Sequence, residues 1–167
     1  VICGTDSEEI PVSLEGNSDS FRMKLSFLPN GNCVILPNIN GRGYGFFKIT
    51  EGESSGLWSV LRSSEDEVLK GSLLITLYEN LRWKTISPQG FREEMLAYLP
   101  NESNSLLFSM ALSYLGDCQR IFPSDSRPLE QVLWKIVTTN PVSQHRLQAF
   151  RLYRSIADSE EAVQRLY

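Results

Sequence analysis

The stretch Ile35–Leu61 reads ILPNINGRGYGFFKITEGESSGLWSVL, and the secondary-structure pattern of the chain changes within it. Upstream, short apolar segments alternate with turns that contain glycine and asparagine, which is typical of β-strands. Downstream, apolar residues recur every three or four positions, which is typical of amphipathic helices. The sequence therefore predicts a mostly helical α+β fold, with a small antiparallel β-unit over residues 1–52 and an array of helical hairpins over residues 53–167.

Four short segments form the predicted β-unit. Two of them alternate apolar with polar residues, and the other two are short apolar or aromatic runs. The predicted strands are Glu9–Leu14, Phe21–Leu28, Cys33–Leu36 and Tyr44–Thr50. Such a small sheet does not close into a barrel, so we expect another layer to cover its apolar face.

The residues after this change of pattern predict helices of roughly 10–16 residues, separated by short polar loops. Ser87-Pro88 is a cap followed by a first-turn proline, so it begins a helix that Pro100 ends. Gly116 is expected to end the next helix, Ser103–Leu115, because glycine is common just past a helix end. Short connections favour antiparallel helix pairs, which we expect to stack into a superhelical array. The last predicted helix reaches the final residue without a cap, so we expect a truncated array, with a helix that simply ends as the alternative.

The chain has 167 residues, of which 41% are hydrophobic and 22% are charged, as in ordinary globular domains. Its net charge of −4 argues against binding to nucleic acid, which requires clustered lysine and arginine. It has no apolar run near the roughly 20 residues that a membrane-spanning helix needs, and its start does not read as a secretion signal. We therefore expect a soluble protein, cytoplasmic rather than secreted, with neither nucleic acid nor a membrane as its partner.

The three cysteines, Cys3, Cys33 and Cys118, are far apart and lack the C-x-x-C spacing of metal or redox sites. Buried or incidental thiols are the simplest interpretation. A disulfide between Cys3 and Cys33 is the alternative, and nothing in the sequence favours it. The cysteine pattern therefore predicts neither a metal centre nor a disulfide framework.

His145 is the one histidine of the chain, and the residues around it do not form a catalytic motif. A catalytic zinc generally has three protein ligands, commonly two histidines and a carboxylate, and the H-E-x-x-H pattern is absent. No serine lies in a G-x-S-x-G elbow for which His145 could be the base. We expect His145 to lie on the surface or to cap a helix, with a small hydrolase that uses its imidazole as an alternative.

Gly41-Arg42-Gly43-Tyr44-Gly45 is a glycine-rich segment that precedes a predicted strand. Dinucleotide-binding loops instead follow a strand and open a helix, and the G-K-[ST] of a phosphate-binding loop is absent. The segment therefore predicts a turn at which two backbones approach closely.

Several other polar or aromatic groups have simple structural interpretations. The adjacent carboxylates Glu93-Glu94 and Glu160-Glu161 point about 100° apart on a helix, so they predict solvated faces rather than a glycosidase pair. Three arginines on one predicted helix cover a solvated face or, alternatively, bind a partner or a peptide carboxylate: Arg146, Arg151 and Arg154. Three tryptophans fall within apolar helical patterns and are expected in the core: Trp58, Trp83 and Trp134.

The stretch in which the secondary-structure pattern changes also resembles a segment of a known protein family. ILPNINGRGYGFFKI (residues 35–49), followed by LWSVL (residues 57–61), is similar to the end of the small β-domain of zinc aminopeptidases of the aminopeptidase N (puromycin-sensitive) family. The matching positions are Asn38, Gly43, Tyr44, Phe46, Lys48, Ile49, Trp58 and Leu61. LLITLYENLRWKTISPQGFREEMLAYLPNES (residues 73–103) resembles the helices that follow, with Tyr98, Leu99 and Glu102 in step, and EEAVQRLY (residues 160–167) resembles a later helix.

The resemblance implies a function for a larger parent protein. That parent would be a four-part metallopeptidase that removes N-terminal residues from peptides, with a zinc-bound water as nucleophile and a glutamate as general base. This chain would be the third part, a small β-sandwich, and the start of the fourth, helical part. Those parts close over the catalytic domain and shape the peptide chamber. The implied partners are the N-terminal catalytic domain of the same protein and the peptide substrate.

No position in this chain matches the catalytic motifs of that family. Neither the H-E-x-x-H pattern with its downstream glutamate nor the G-x-M-E-N loop for the substrate amine is present. We therefore predict no catalytic residue, no cofactor-binding residue and no metal ligand in this chain, and zinc only in the parent enzyme. The alternative function is a stand-alone helical-repeat module that binds a protein or peptide in a groove.

Overall fold

The computed structural model describes residues 1–3, 6–11, 26, 33–38 and 45–167. Within these residues, a three-stranded antiparallel sheet has the order β2–β1–β3, formed by β1 (Ile2–Cys3), β2 (Asp6–Ser7) and β3 (Cys33–Val34). The α-helices of the same part of the chain are α1 (Glu51–Ser63), α2 (Glu67–Arg82), α3 (Pro88–Tyr98), α4 (Ser105–Ile121), α5 (Arg127–Thr139), α6 (Ser143–Ile156) and α7 (Glu160–Gln164). A 3₁₀ turn over Leu99–Asn101 follows α3. The mostly helical α+β fold is therefore confirmed.

The helices pack as sequential pairs. α1 packs on α2, α3 on α4 and α5 on α6, while contacts of α4 with both α2 and α6 join the pairs to one another. The loops inside the first and last pairs are short, covering residues 64–66 and 140–142. This packing fits the predicted helical array, and it places α2, α4 and α6 side by side.

Side-chain caps set where the helices begin. Ser87 Oγ accepts a hydrogen bond from Gly90 N–H, and Pro88 occupies the first turn of α3, so this predicted start is confirmed. Thr50 and Glu53 form a reciprocal capping box at the start of α1. The first helix therefore begins at Glu51, inside the stretch Ile35–Leu61 in which the sequence pattern changes.

Helix α4 continues through Gly116, so the predicted helix end at this glycine is wrong. A Cβ atom placed on Gly116 would lie 3.0 Å from Leu152 Cδ1 of α6. The missing side chain lets the two helices approach closely, which is a packing role for glycine rather than a helix stop. Local sequence does not distinguish the two roles, because the neighbouring helix is remote in the chain.

The predicted strands have different outcomes. Cys33–Leu36 is confirmed as β3, although the strand ends at Val34. Glu9–Leu14 is wrong over residues 9–11, which are not in a strand, and its remaining residues lie outside the described ones. Phe21–Leu28 also lies outside the described residues, apart from Ser26.

The predicted strand Tyr44–Thr50 is wrong over residues 45–50, which form no strand pairing. The backbone groups of this segment bind a helix side chain instead of a neighbouring strand. Ile49 N–H donates to Asn80 Oδ1 at 2.9 Å, and Asn80 Nδ2 donates to the Phe47 carbonyl at 2.8 Å. Because the amide of Asn80 supplies both partners, the segment satisfies these groups as an extended loop.

Cys3 of β1 and Cys33 of β3 are opposite each other and form a disulfide, with their Cα atoms 4.2 Å apart. The expectation of free thiols is wrong for this pair, because strand pairing brings together cysteines that are distant in sequence. Cys118 is a free, buried thiol, and burial raises its pKa. The sheet packs on α1, where a Cβ atom on Gly56 would come within 2.7 Å of Val34 Cγ2.

The hydrophobic core lies between the helices. Its largest fully buried side chains include Leu57, Leu61, Leu73, Leu74, Leu77, Leu81, Phe91, Met95, Leu99, Phe108, Leu115 and Tyr153. Trp58 is buried as expected, and Trp134 is partly buried against the core. The core position expected for Trp83 is wrong, because this residue follows the last turn of α2 and is 70% exposed, with its ring centroid 5.6 Å from that of Phe46.

Candidate functional site

The structure contains a groove of about 830 Å³ along α2 and the start of α4, which we call the α2–α4 groove. The loop that precedes α1 also contributes to it. The groove is lined by Asn38, Gly45, Phe46, Phe47, Glu67, Val68, Gly71, Ser72, Ile75, Thr76, Glu79, Trp83, Asn104, Leu106, Leu107 and Met110. A concave surface of this size is large enough for a segment of peptide.

Large apolar side chains are exposed along the α2–α4 groove. Val68, Trp83 and Leu106 are 65%, 70% and 68% exposed, and Phe46 and Ile75 are also exposed. Scattered apolar residues are normal on a protein surface, but apolar residues that share one groove indicate a binding surface. The groove therefore offers apolar contact area for a ligand.

Polar side chains of α2 fix the loop that borders the groove. The amide of Asn80, which is fully buried, holds the backbone of Phe47 and Ile49. Ser72 Oγ donates to the Asn38 carbonyl at 2.7 Å. The loop residues of the groove are thus attached to the same helix that supplies most of the groove's lining.

A buried ion pair lies beside the groove and joins three parts of the fold. Lys70 Nζ of α2 is 2.6 Å from Glu102 Oε2, and the Tyr98 hydroxyl of α3 donates to the same oxygen. Asn104 N–H, at the start of α4, donates to Glu102 Oε1 at 2.7 Å. Both carboxylate oxygens are therefore occupied, so Glu102 connects helices and is not placed to act as a free base.

The pKa values of this cluster reflect the same contacts. Burial alone would raise the pKa of Glu102, but the bonds from Lys70, Tyr98 and Asn104 together hold it below the ordinary value of 4.5. Burial, and then the hydrogen bond to Glu102, raise the pKa of Tyr98. The cluster thus keeps a charged carboxylate and a neutral phenol at neutral pH.

His145 is fully buried between α4 and α6, so the expectation of a surface or capping position is wrong. Its ring stacks on Phe108 with centroids 4.0 Å apart, and its Nε2 lies 3.0 Å from Ser105 Oγ. The distance suits a serine nucleophile and its base, but Nδ1 has no hydrogen-bond partner among the described residues to orient the ring. Burial also lowers the pKa of His145. The contacts fit a neutral core histidine better than the hydrolase alternative.

We expect the free energy of unfolding to decrease as the pH falls below 6.5, the ordinary pKa of histidine. In that range His145 takes up a proton in the unfolded chain but not in the folded one. The stability that the neutral imidazole contributes is therefore fully present above pH 6.5, and it is lost as the pH falls toward the lowered pKa of His145 in the folded chain. Urea unfolding between pH 7.5 and 5.0 should show the wild type losing up to about 1.4 kcal/mol per pH unit more than His145→Phe, which does not titrate. Parallel curves for the two proteins would contradict this assignment.

The structure does not bring the arginines of α6 and the adjacent glutamates together into one site. Arg146, Arg151 and Arg154 are all exposed, as expected for a solvated face. Arg151 lines a second groove, between α4 and α6, whereas Arg146 donates to the Asn140 carbonyl at 2.9 Å. The glutamates of the two adjacent pairs bind neighbouring polar groups: Gln89 for Glu93, Arg62 for Glu94, Gln164 for Glu160 and Arg165 for Glu161.

Three remaining predictions concern the glycine-rich segment, metal ligands and membrane-spanning helices. Of the glycine-rich segment 41–45, only Gly45 is described. In the described ranges, no three side chains of histidine, cysteine, aspartate or glutamate are grouped so that they could hold a metal ion. No helix among the described residues is both long and apolar enough to cross a membrane.

Sequence reasoning missed the α2–α4 groove, although part of its signal is local. Val68, Ile75 and Trp83 recur seven and eight positions apart, so they follow one stripe of α2 that continues to the residue after its end. A second apolar stripe of α2, which includes Leu73 and Leu77, faces the core. A helix with apolar residues on two faces indicates that one of them meets a ligand or a partner.

The α2–α4 groove has the shape and surface of a binding site, without an evident reactive group. Among the described residues, its charged lining residues are two glutamates, and its other polar lining residues are asparagine, serine and threonine. These groups can orient a ligand through hydrogen bonds and charge, but they do not form a nucleophile–base pair. No known family model matches this chain, and no curated protein or solved structure is significantly similar to it.

Proposed function

We propose that this chain is a non-catalytic part of a zinc-dependent aminopeptidase, in which the exposed side of α2 and α4 forms part of the wall of the peptide chamber. The observation that carries the proposal is the α2–α4 groove. Its loop residues belong to the segment whose sequence resembles the aminopeptidase family, and α2 and α4 belong to the helical array. A helical array with an exposed groove is an architecture that accommodates extended peptides.

Several of the described positions that carry the resemblance have packing roles in this structure. Ile49, Trp58 and Leu61 are buried where the loop meets α1, and Tyr98 and Glu102 belong to the buried ion pair. These positions support a shared scaffold, because a scaffold depends on packed side chains. They do not supply reactive groups, so the proposed activity of the parent depends on its catalytic domain.

The proposal assigns the zinc to the catalytic domain of the parent. The donor set of the described residues does not fit a catalytic zinc, because His145 is enclosed by Phe108 and Ser105, and two of the three cysteines form a disulfide. This chain would instead restrict the size of the substrate and hold the catalytic domain. The division into a β-unit over residues 1–52 and a helical array over residues 53–167 stays part of this proposal.

The proposal is tested by the natural full-length gene product and by this chain alone. We expect the coding sequence upstream of Val1 to contain H-E-x-x-H with a downstream glutamate, and the full-length protein to hydrolyse aminoacyl anilides. The purified chain of 167 residues should neither hydrolyse aminoacyl anilides nor bind zinc at one ion per chain. A full-length product without the motif, or one tight zinc in this chain, would overturn the proposal.

A stand-alone peptide-binding module is the second candidate function, and the α2–α4 groove is also the observation that favours it. The two candidates differ in what accompanies the groove. If the natural protein lacks a peptidase motif while the purified chain captures peptides from an array, the binding module is the better account. Capture that disappears when the groove is filled would assign the binding to this surface.

We further propose an oxidising compartment for this protein, although the sequence favoured the cytoplasm. The disulfide between Cys3 and Cys33 supports this proposal, because disulfides persist in secreted and periplasmic proteins and are rare in the cytosol. When protein from its natural source is unfolded and alkylated without a reducing agent, Cys118 should be the one cysteine of this chain that is modified. Modification of all three cysteines would contradict an oxidising compartment.

A further inference from the structure

The charged residues that line the α2–α4 groove in the described part of the chain are all acidic. They are Glu67 and Glu79 of α2, and no lysine, arginine or histidine lines the groove among the described residues. Glu67 lies in the first turn of α2, where the helix dipole favours a carboxylate even without a ligand. Glu79 has no such explanation, because it is half-buried in the interior of α2.

Neither carboxylate has a hydrogen bond or an ion pair within the described part of the chain. Other glutamates of the protein are paired, as Glu102 is with Lys70 and Glu94 is with Arg62. A half-buried carboxylate without a partner loses hydration and gains no hydrogen bond in return. Binding of a cation next to Glu79 would therefore improve the electrostatics of the groove.

The spacing of the two carboxylates sets the length of a matching ligand. Twelve positions separate Glu67 from Glu79 in sequence, which corresponds to about 18 Å along a helix that rises about 1.5 Å per residue. An extended peptide covers about 3.3 Å per residue and its side chains alternate between two faces, so two side chains on the same face span about this distance when they are about six residues apart. The exposed side chain of Ile75 lies between the two carboxylates on α2, and Leu106 faces the same groove.

We propose that the α2–α4 groove selects extended peptides that carry two cationic groups on the same face, about six residues apart, with aliphatic or aromatic side chains between them. The cationic groups pair with Glu67 and Glu79, and the apolar side chains contact the exposed residues of the groove. The proposal rests on the proposed function for its ligand class, an extended peptide. It adds the charge pattern and the length of the peptides that this surface accepts.

The test uses the purified chain and a pair of matched peptides. The first is acetyl-Lys-Ala-Leu-Ala-Phe-Ala-Lys-amide, in which the two lysines, the leucine and the phenylalanine share one face of the extended chain, and the second has glutamate in place of both lysines. Trp83 lines the groove and is exposed, so its fluorescence should shift to the blue when the first peptide binds. The second peptide should bind at least about tenfold more weakly, and the difference should shrink at high salt because the pairs are partly exposed.

Two double variants separate pairing in the groove from a general effect of net charge. Glu67→Gln with Glu79→Gln should weaken binding of the lysine peptide about tenfold, since each partly exposed ion pair contributes a factor of about three. Glu93→Gln with Glu160→Gln removes the same charge from α3 and α7, outside the groove, and should leave the dissociation constant unchanged. Equal losses in both double variants would overturn the proposed pairing.

A third pair of variants locates the binding surface. A Cβ atom on Gly71 would lie 3.7 Å from Leu107 Cδ2, which is an ordinary contact, so Gly71→Ala should fold and bind. Gly71→Leu places a larger side chain into the groove and should abolish binding. Unchanged binding in Gly71→Leu, with its fold verified by circular dichroism, would overturn the α2–α4 groove as the site.

The outcomes for this inference are distinct from those for the proposed function. Equal affinity for the lysine and glutamate peptides overturns the charge selection, while an upstream zinc motif would still support the aminopeptidase assignment. Absence of that motif overturns the aminopeptidase assignment, while a tenfold preference for the lysine peptide that depends on Glu67 and Glu79 would still support the selection.

Discussion

Asn80→Ala is expected to lower the free energy of unfolding by about 3–5 kcal/mol. The Asn80 side chain is fully buried and makes four hydrogen bonds at once. Its Oδ1 accepts from Ile49 N–H and from the Thr85 hydroxyl, and its Nδ2 donates to the carbonyls of Phe47 and Thr76. Alanine leaves several of these groups buried without partners, and each such group costs about 1–3 kcal/mol.

The loss is measured by urea unfolding of the wild type and the variant. Asn101→Ala is the matched control, because the Asn101 amide is exposed and makes one side-chain hydrogen bond, to the Ala97 carbonyl at 3.1 Å. The control should change stability by less than about 0.5 kcal/mol. Hydrogen exchange adds a local readout, since the Ile49 amide should lose its protection in Asn80→Ala. A loss below 1 kcal/mol would show that water replaces the amide at little cost.

Glu102→Leu is expected to destabilise the fold by about 3–5 kcal/mol, the usual cost of removing one partner of a buried ion pair. The change leaves the Lys70 ammonium, the Tyr98 hydroxyl and the Asn104 amide without their shared acceptor. These groups come from α2, α3 and the start of α4, so the loss should affect the packing of three helices. Glu102 is also an acidic group whose lowered pKa supports stability above pH 4.5.

A double-mutant cycle distinguishes the cost of an orphaned charge from the net value of the pair. Lys70→Met removes the ammonium, and we expect the double variant with Glu102→Leu to regain at least about 1 kcal/mol relative to Glu102→Leu alone. Arg62 and Glu94 form an exposed pair that serves as a control, where Arg62→Met should cost less than about 1 kcal/mol. Additive losses at Lys70 and Glu102 would mean that the two side chains act independently.

The helical part of the fold could be predicted from sequence because its signals are local. The cap at Ser87, the proline that follows it and the three-to-four-residue apolar period all lie within one or two turns of the helix that they specify. Gly116 shows the limit of this reasoning. Its role depends on Leu152, a residue of a different helix, and no short-range pattern reveals that neighbour.

The loop before α1 and the candidate site depend on contacts between distant residues. Residues 45–50 have the composition of a strand, but the Asn80 side chain takes the place of a neighbouring strand. The positions of His145 and Trp83 also depend on such contacts. The packing of α4 on α6 buries His145, which was expected at the surface, and Trp83 is exposed at the end of α2 although it was expected in the core. The groove was foreseeable only as a second apolar stripe on α2, without its acidic character.

The bond between the sulfur atoms of Cys3 and Cys33 closes a covalent ring. The ring contains the chain between these two cysteines, which are 30 positions apart in sequence. A protease that cuts one peptide bond inside this ring leaves a nicked molecule whose two pieces remain joined. Such a nick changes the mobility of the protein on a gel only after reduction. The first residues of the chain therefore remain attached to the helices after a cleavage that would release them from a chain without the ring.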